Sequence, residues 1–278
     1  GFGGLPSRTM GTFEDLWFPG VSAPGSFAQL ASAYAHKHQI PMDDLRAAMA
    51  HVSWKSHENG ALNPKAHLQN RISKDKVLNA PMISYPLGLF DCCGVSDGAA
   101  CAIVTTPEMA KKLGRAANLV SIKALQLAVS NGAEMFYDDW DGSHAMTAEL
   151  ASKRAYNEAG IKHPKQQLDM VEVHDCFSIT ELVTMEDLGL SASGQACQDI
   201  TAGVYDRDGD LPCNVDGGLK CFGHPLGATG LRMVYEIYQQ LHGRCGERQL
   251  DDPTLGLTHN LGGFPNRNVC SISIIGLH

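Results

Sequence analysis

The sequence predicts an α/β domain with helices covering a largely buried sheet, preceded by a mainly helical and irregular region of about 80 residues. Three observations predict it. From residue 119 onward, short β-branched runs alternate with segments of helical spacing, as in sheets whose strands connect through helices. Glycines stand where helical patterns stop, at Gly114, Gly160 and Gly243. The 278 residues are 44% hydrophobic and show no short-period repeat, so there is volume for a packed core and no sign of a solenoid.

Taken in order, residues 1 to about 25 are rich in Gly, Pro and Ser and read as irregular surface. Ser26 is expected to cap a helix carrying Phe27, Leu30, Tyr34 and Ala35 on one face. Pro41 opens a second helix with Leu45, Met49, Val52 and Trp54, ending near Gly60. Residues 63–81 read as loop. Residues 97–105 are small residues running into a β-branched stretch, which predicts a buried strand. Helices follow over 107–113, 147–159, 179–188 and 231–241. Strands are expected over 119–125, 168–174, 255–261 and 269–275.

Composition narrows the function. There are 22 Lys+Arg against 30 Asp+Glu, a net charge of −8, which argues against a nonspecific nucleic-acid binder. No apolar run reaches the roughly 18 residues needed to span a membrane, and no secretory signal opens the chain. Nine cysteines is an odd number and no pair has Cys-x-x-Cys spacing, so a reduced, cytosolic protein with buried thiols is expected. The histidines and cysteines lack paired ligand spacing, and no metal site is expected.

Three stretches carry chemistry. The first is Gly217-Gly218-Leu219-Lys220-Cys221-Phe222-Gly223-His224-Pro225-Leu226-Gly227-Ala228-Thr229-Gly230, with five glycines around one histidine and an amphipathic helix directly after it. Such density means a tight turn or close approach, on a loop where a helix N-terminus favours negative charge. In the second, Val171-Glu172-Val173-His174-Asp175-Cys176-Phe177-Ser178, a strand ends at His174. Ser178 and Glu181 have the spacing of a capping box for the next helix, and Cys176 stands where the dipole would stabilise a thiolate. In the third, Thr258-His259-Asn260-Leu261-Gly262-Gly263, a strand runs into a glycine pair able to offer a backbone N–H to an oxyanion. The plain alternatives are a core cysteine, a satisfied buried histidine and an ordinary turn. Histidine and cysteine converging on one rim would suit proton transfer and acyl chemistry near neutral pH.

At these residues the chain resembles the thiolase superfamily, and within it the sterol-carrier-protein-type branch. Gly223-His224-Pro225-Leu226-Gly227-Ala228-Thr229-Gly230 resembles the superfamily's Gly-His-Pro-x-Gly-x-x-Gly signature. His174-Asp175-Cys176-Phe177 is similar to that branch's His-Asp-Cys-Phe loop, and His259-Asn260-Leu261-Gly262 to its C-terminal loop. The resemblance implies a layered αβαβα fold with a helical loop domain over 1–85, the end of an N-terminal core over 86–117 and a C-terminal core over 118–278. It implies a coenzyme A thioester as substrate, with no other cofactor, and Claisen condensation or its thiolytic reverse. By the same resemblance His224 would activate the nucleophile and donate to the thioester oxygen, and His174 would support that oxyanion site. Cys176 would be the acid/base thiol and the Gly262 N–H would serve a second oxyanion hole.

The family's nucleophilic cysteine belongs to the first half of its chain, and that region is absent here. The first half of the N-terminal core is therefore expected on a longer polypeptide or a partner chain. Cys92, Cys93 and Cys101 lie in or after a segment leading toward the last strand of that core, and they and Cys221 read as buried structural residues. The expected assembly is a homodimer or higher oligomer, cytoplasmic, or peroxisomal if eukaryotic. Two alternatives stay open: a thiolase-like aldolase working with an OB-fold and zinc-ribbon partner, and a noncatalytic subunit that binds coenzyme A thioesters.

Overall fold

The computed structural model describes residues 22–114, 119–132, 134 and 140–278. The expected irregular surface of residues 1–25 falls mostly outside them. Helix α1 (Ala23–His38) opens four residues earlier than a cap at Ser26 would place it. Ser22 is its cap, accepting the Gly25 N–H at 3.2 Å, and a prolyl residue sits in the first turn. Helix α2 (Met42–Ala61) begins after Pro41 as expected. It is buried on almost every side. Leu45, Ala48, Met49 and Val52 enter the main apolar cluster, while Ser53, Lys55 and Asn59 are buried and partnered.

A short helix α3 (Lys74–Leu78), capped by Ser73, interrupts the expected loop. The small ribbon β1 (Met82–Ser84) and β2 (Leu87–Gly88) follows. The strand expected over 97–105 does not form. Residues 94–106 have no regular structure, and Ile103 is 90% exposed. A strand needs a neighbour for its backbone groups, and none lies beside this stretch among the described residues. Helix α4 (Pro107–Lys112) closes at Gly114, whose φ of 71° is the left-handed stop that the sequence suggested.

The remaining elements form one mixed sheet with helices on both faces. They are β3 (Val120–Val129), α5 (Met146–Ala159), α6 (Pro164–Gln167), β4 (Met170–Val173), α7 (Ser178–Asp187), α8 (Ala196–Thr201), α9 (Gly218–Cys221), α10 (Thr229–Leu241), β5 (Leu255–Phe264) and β6 (Arg267–Leu277). The strand order is β3-β6-β5-β4. Only the β4–β5 pair is parallel; β5–β6 and β6–β3 are antiparallel. Alternation along β6 decides the two faces. Cys270, Ile272 and Ile274 join the cluster containing Ala148, Ala151 and Ala155 of α5. Ile275 joins Met170 with Ile237 and Leu241 of α10 on the other side.

The main cluster includes Phe27, Leu30, Tyr34 and Leu45 together with Leu182, Leu257 and Ile272, so the helical region and the sheet share one core. The capping box expected of Ser178 and Glu181 is not present. Ser178 Oγ lies 2.8 Å from Ser53 Oγ, and Glu181 pairs with Lys55, so both side chains are spent on holding α2 against α7. Tertiary partners outcompete a local cap when the helix end is fully buried.

Candidate active site

Parallel pairing of β4 with β5 sets Val173 opposite His259, and His174 is the next residue on its chain. The His174 backbone N–H donates to His259 Nδ1 at 3.5 Å, and His174 Nδ1 lies 3.3 Å from Asn260 Oδ1. His259 and Asn260 are therefore interior residues of β5 and not at a strand end, because β5 continues through the glycine pair to Phe264. Gly262 lies opposite Val269 in that ladder and is exposed.

His224 comes from the loop between α9 and α10. Asp175 shapes the entry to that loop: its Oδ1 accepts the Leu219 N–H at 2.7 Å, and a Cβ at Gly218 would stand 2.5 Å from Oδ2. Gly218 has φ of 61°, so both space and conformation require glycine there. His224 is then fixed from two directions. Its N–H donates to Ser96 Oγ at 2.8 Å, and its Nδ1 lies 2.8 Å from Oγ1 of Thr229, the first residue of α10. The His174 and His224 rings meet edge to face, with centroids 5.1 Å apart and an interplanar angle of 85°.

The irregular segment after Asp91 laces these loops together. Lys220 Nζ donates to Asp91 O at 2.7 Å, and Cys93 N–H donates to Cys176 O at 2.9 Å. Ser96 N–H donates to His224 O at 3.4 Å. Behind the site, Arg232 of α10 is buried and pairs with both Glu172 of β4 and Asp216, while Asp216 Oδ1 accepts the Gly218 N–H at 2.8 Å.

The electrostatics differ from the sequence-based expectation at Cys176. Burial pushes its thiol up to about 12, against the weaker opposing pull of its Thr180 contact at 3.5 Å. Desolvation outweighs the helix N-terminus, so Cys176 is a neutral thiol and not a thiolate near pH 7. Its Sγ makes no hydrogen bond to either imidazole. His174 is held down to about 3, first by burial and then by His224 and His259. His259 is held down to about 3 by burial alone. Burial also lowers His224, with Asp175 pulling the other way. The imidazole pair is neutral at physiological pH.

This has a consequence for stability. Unfolded, His174 and His259 take protons near pH 6.5, whereas folded they do so only near 3, so the unfolded state binds more protons and stability falls as pH drops through this window. Buried carboxyls raised by desolvation, such as Glu172 and Asp187, act with the opposite sign. A comparison with His259→Gln isolates the histidine. Wild type should lose up to about 1.4 kcal/mol more than the variant for each pH unit below 6.5 in urea unfolding. Parallel curves for the two proteins would contradict the burial argument.

The structure thus brings His174 and His224 together and leaves the Cys176 thiol on Thr180, one loop position beyond Asp175. Gly262 is two residues along β5 from Asn260. Cys221 is fully buried, as expected, but Cys92 and Cys93 are half-buried and Cys101 is exposed. All nine cysteines are free thiols. Asp175, Ser96 and Thr229 hold the loops but were not singled out as site residues in the sequence. Thr229 could have been suspected from its place in the glycine stretch at the start of a helix. Nothing local marks Ser96, which reaches His224 across 128 residues. A cavity of about 460 Å3 opens beside the His224 loop, walled by Lys65, His67, Ser96, Pro225 and Tyr235, but neither His174 nor His224 lines it. Among the described residues no helix is long and apolar enough to cross a membrane.

The family model described as "Thiolase C-terminal domain-like" matches residues 133–274. An acetyl-CoA acetyltransferase of Methanothermobacter thermautotrophicus is 36% identical over 88% of this chain and 61% of its own length. Human sterol carrier protein 2 is 33% identical over 86% of this chain and 43% of its own. The chain therefore spans between about four-tenths and six-tenths of these relatives. Two solved structures share the fold. An Ltp2-ChsH2(DUF35) aldolase superposes with a TM-score of 0.78 at 24% identity, over 97% of this chain and 69% of the other. A monomeric SCP2-thiolase-like protein type 1 from Mycobacterium smegmatis superposes with a TM-score of 0.66 at 18% identity, over 93% and 52%. With the mixed sheet, the paired histidine loops and the family match lying in one stretch of sequence, this chain belongs to the thiolase family.

Proposed function

We propose that this chain supplies the oxyanion-binding and proton-transfer side of a thiolase site acting on coenzyme A thioesters. The reaction is thiolytic cleavage of a 3-ketoacyl thioester or the reverse Claisen condensation. The observation that carries the reading is the edge-to-face pair of His174 and His224, brought from two loops and held by Asn260, Ser96 and Thr229. Its reaction places negative charge on a thioester oxygen and moves one proton, which is what two neutral imidazoles and a thiol can serve.

In this reading His224 takes the proton of the attacking thiol and then donates to the thioester oxygen, with His174 beside it. Cys176, held protonated by burial, gives a proton to the carbanion leaving in cleavage and takes one back in condensation. The Gly262 N–H serves the second oxyanion. This reading also needs a nucleophilic cysteine to accept the acyl group, and among the described residues no cysteine is hydrogen-bonded to either imidazole. Residues 1–85 act as the substrate-facing loop domain, 86–117 as the end of an N-terminal core and 118–278 as the C-terminal core. The protein self-associates as a homodimer or higher oligomer.

A second reading, a thiolase-like aldolase with a DUF35-type partner, is favoured by the likeness in fold to the Ltp2-ChsH2(DUF35) aldolase. Incubating the full-length gene product with radiolabelled acyl-CoA separates the two. A label held on cysteine after quenching supports the thiolase; carbon–carbon cleavage without such a label sinks it and supports the aldolase. No turnover and no label, with thioester binding retained, points to a noncatalytic subunit. Cys176→Ser should block condensation while leaving part of the acyl transfer intact. An unaffected condensation rate removes Cys176 from proton transfer.

A further inference from the structure

Away from the two histidine loops, three side chains from distant parts of the chain form a relay that reaches the surface. Lys74, the first residue of α3, is exposed, and its Nζ lies 2.9 Å from Nδ1 of His51 in the middle of α2. His51 is 4% exposed, and its Nε2 lies 2.9 and 3.1 Å from the two carboxylate oxygens of Asp206, in the segment after α8. Burial works against the charge of Asp206, but the hydrogen bond from His51 holds its carboxyl below the usual value, so it is a carboxylate at neutral pH. A carboxylate can only accept, so Nε2 carries a hydrogen, and a neutral ring then keeps its lone pair on Nδ1, facing Lys74. The indole of Trp54 fixes where the amine sits. Lys74 Nζ stands 4.5 Å from its ring centroid, and the His51 and Trp54 rings meet edge to face at 5.0 Å. An exposed lysine is thereby held in one place beside a base instead of sweeping through solvent.

A nucleophile within hydrogen-bond reach of a base, with the base oriented by a third group, is the arrangement of an activated nucleophile. We propose that Lys74 is an acylation site, where a small acyl coenzyme A thioester gives its acyl group to Nζ, with His51 as the base and Asp206 orienting it. A neutral amine has an N–H to offer Nδ1 and a lone pair left over to attack. The Nζ pair forms the bond to the carbonyl carbon, and one N–H bond breaks as its proton passes to His51 Nδ1. Asp206 stabilises the imidazolium so formed from the other side of the ring. The C–S bond then breaks with its electron pair on sulfur, and the thiolate takes the proton from Nδ1 and leaves as free coenzyme A. A thioester and an amine become an amide and a thiol, with no change in oxidation state. The amide is uncharged, so the cation over Trp54 is lost, and with it part of what holds α3 against α2.

The donor is the thioester class of the proposed function, so the inference rests on that reading for its substrate and on none of its chemistry. The full-length gene product is incubated with acetyl coenzyme A near pH 8 and mapped by mass spectrometry before and after neutral hydroxylamine. Hydroxylamine strips acyl groups from cysteine and leaves them on lysine, so an acyl-cysteine and an acyl-Lys74 are scored separately. Lys153 is the internal reference, an exposed lysine whose Nζ faces the Glu149 carboxylate at 3.4 Å. Lys74 should be acetylated about 10-fold or more faster than Lys153, a part of the roughly 10²- to 10⁴-fold that a positioned base supplies. In Asp206→Asn and in His51→Gln the Lys74 rate should fall toward that of Lys153, and Lys74→Arg should lose the modified peptide. Equal rates at Lys74 and Lys153 in wild type overturn the proposal even if the His51 variant fails to fold. A fast Lys74 rate that survives in Asp206→Asn and His51→Gln overturns it too, and leaves the three side chains as an ion network holding α3 to α2. Acetyl-Lys74 in a protein with no acyl-cysteine and no turnover would uphold this inference and defeat the thiolase reading alone; acyl-cysteine with an unreactive Lys74 would do the reverse.

Discussion

Replacing His224 by alanine should lower kcat of the full-length gene product by about 10²-fold or more, the loss typical of removing one oxyanion donor. The reason is positional. The ring that meets His224 edge to face is that of His174, and His174 is held too far below neutrality to carry a proton at pH 7. Burial lowers His224 as well, so the wild-type rate should stay level as pH falls through 6.5, where an ordinary histidine would begin to lose its base form. The acid limb of kcat/KM should therefore lie below 6.5. Wild-type-like turnover in His224→Ala would take the residue out of the mechanism, whereas an acid limb above 6.5 would contradict its burial.

Arg232→Ala should cost about 3–5 kcal/mol of stability in urea unfolding, the range for removing one partner of a buried ion pair. Arg232 is 3% exposed and lies between Glu172 and Asp216, neither of which reaches water. Glu172 supplies the sign of a pH dependence. Burial already raises its carboxyl, with Arg232 opposing, so without the guanidinium the folded pKa rises further. A carboxyl raised in the fold stabilises below its folded pKa and loses that contribution as pH rises. The deficit of Arg232→Ala should therefore be larger at pH 8 than at pH 5. Equal unfolding midpoints for variant and wild type would show that the pair contributes nothing. Because Asp216 also holds Gly218, the variant should loosen the His224 loop along with the core.

How far the site could be read in advance varied with distance along the chain. The helices over α2, α5 and α10 were legible from periodicity and from the proline and glycine that bound them. The loops bearing His174 and His224 were legible because their glycines, histidines and cysteine are unusual in local order. Ser178 and Glu181 misled, since the same spacing serves a local cap or two unrelated tertiary bonds, and only the position of α2 selects between them. Residues 97–105 misled for a related reason: β-branched content states a preference for a strand, but a strand exists only with a neighbour.

What the sequence alone determined is therefore the set of chemical groups and the loops that carry them: a histidine before a glycine-bounded helix, and a histidine and cysteine after a short strand. Only the tertiary structure decided their state. Asn260 and Thr229, far along the chain or on the next helix, come within hydrogen-bond distance of His174 and His224, and the packing of the main core around Cys176 keeps its thiol neutral where local sequence favoured a thiolate. The physical reason is the same in each case. Protonation depends on desolvation and on partners tens of residues away in the chain, and these exist only once the sheet and the helices have closed around them.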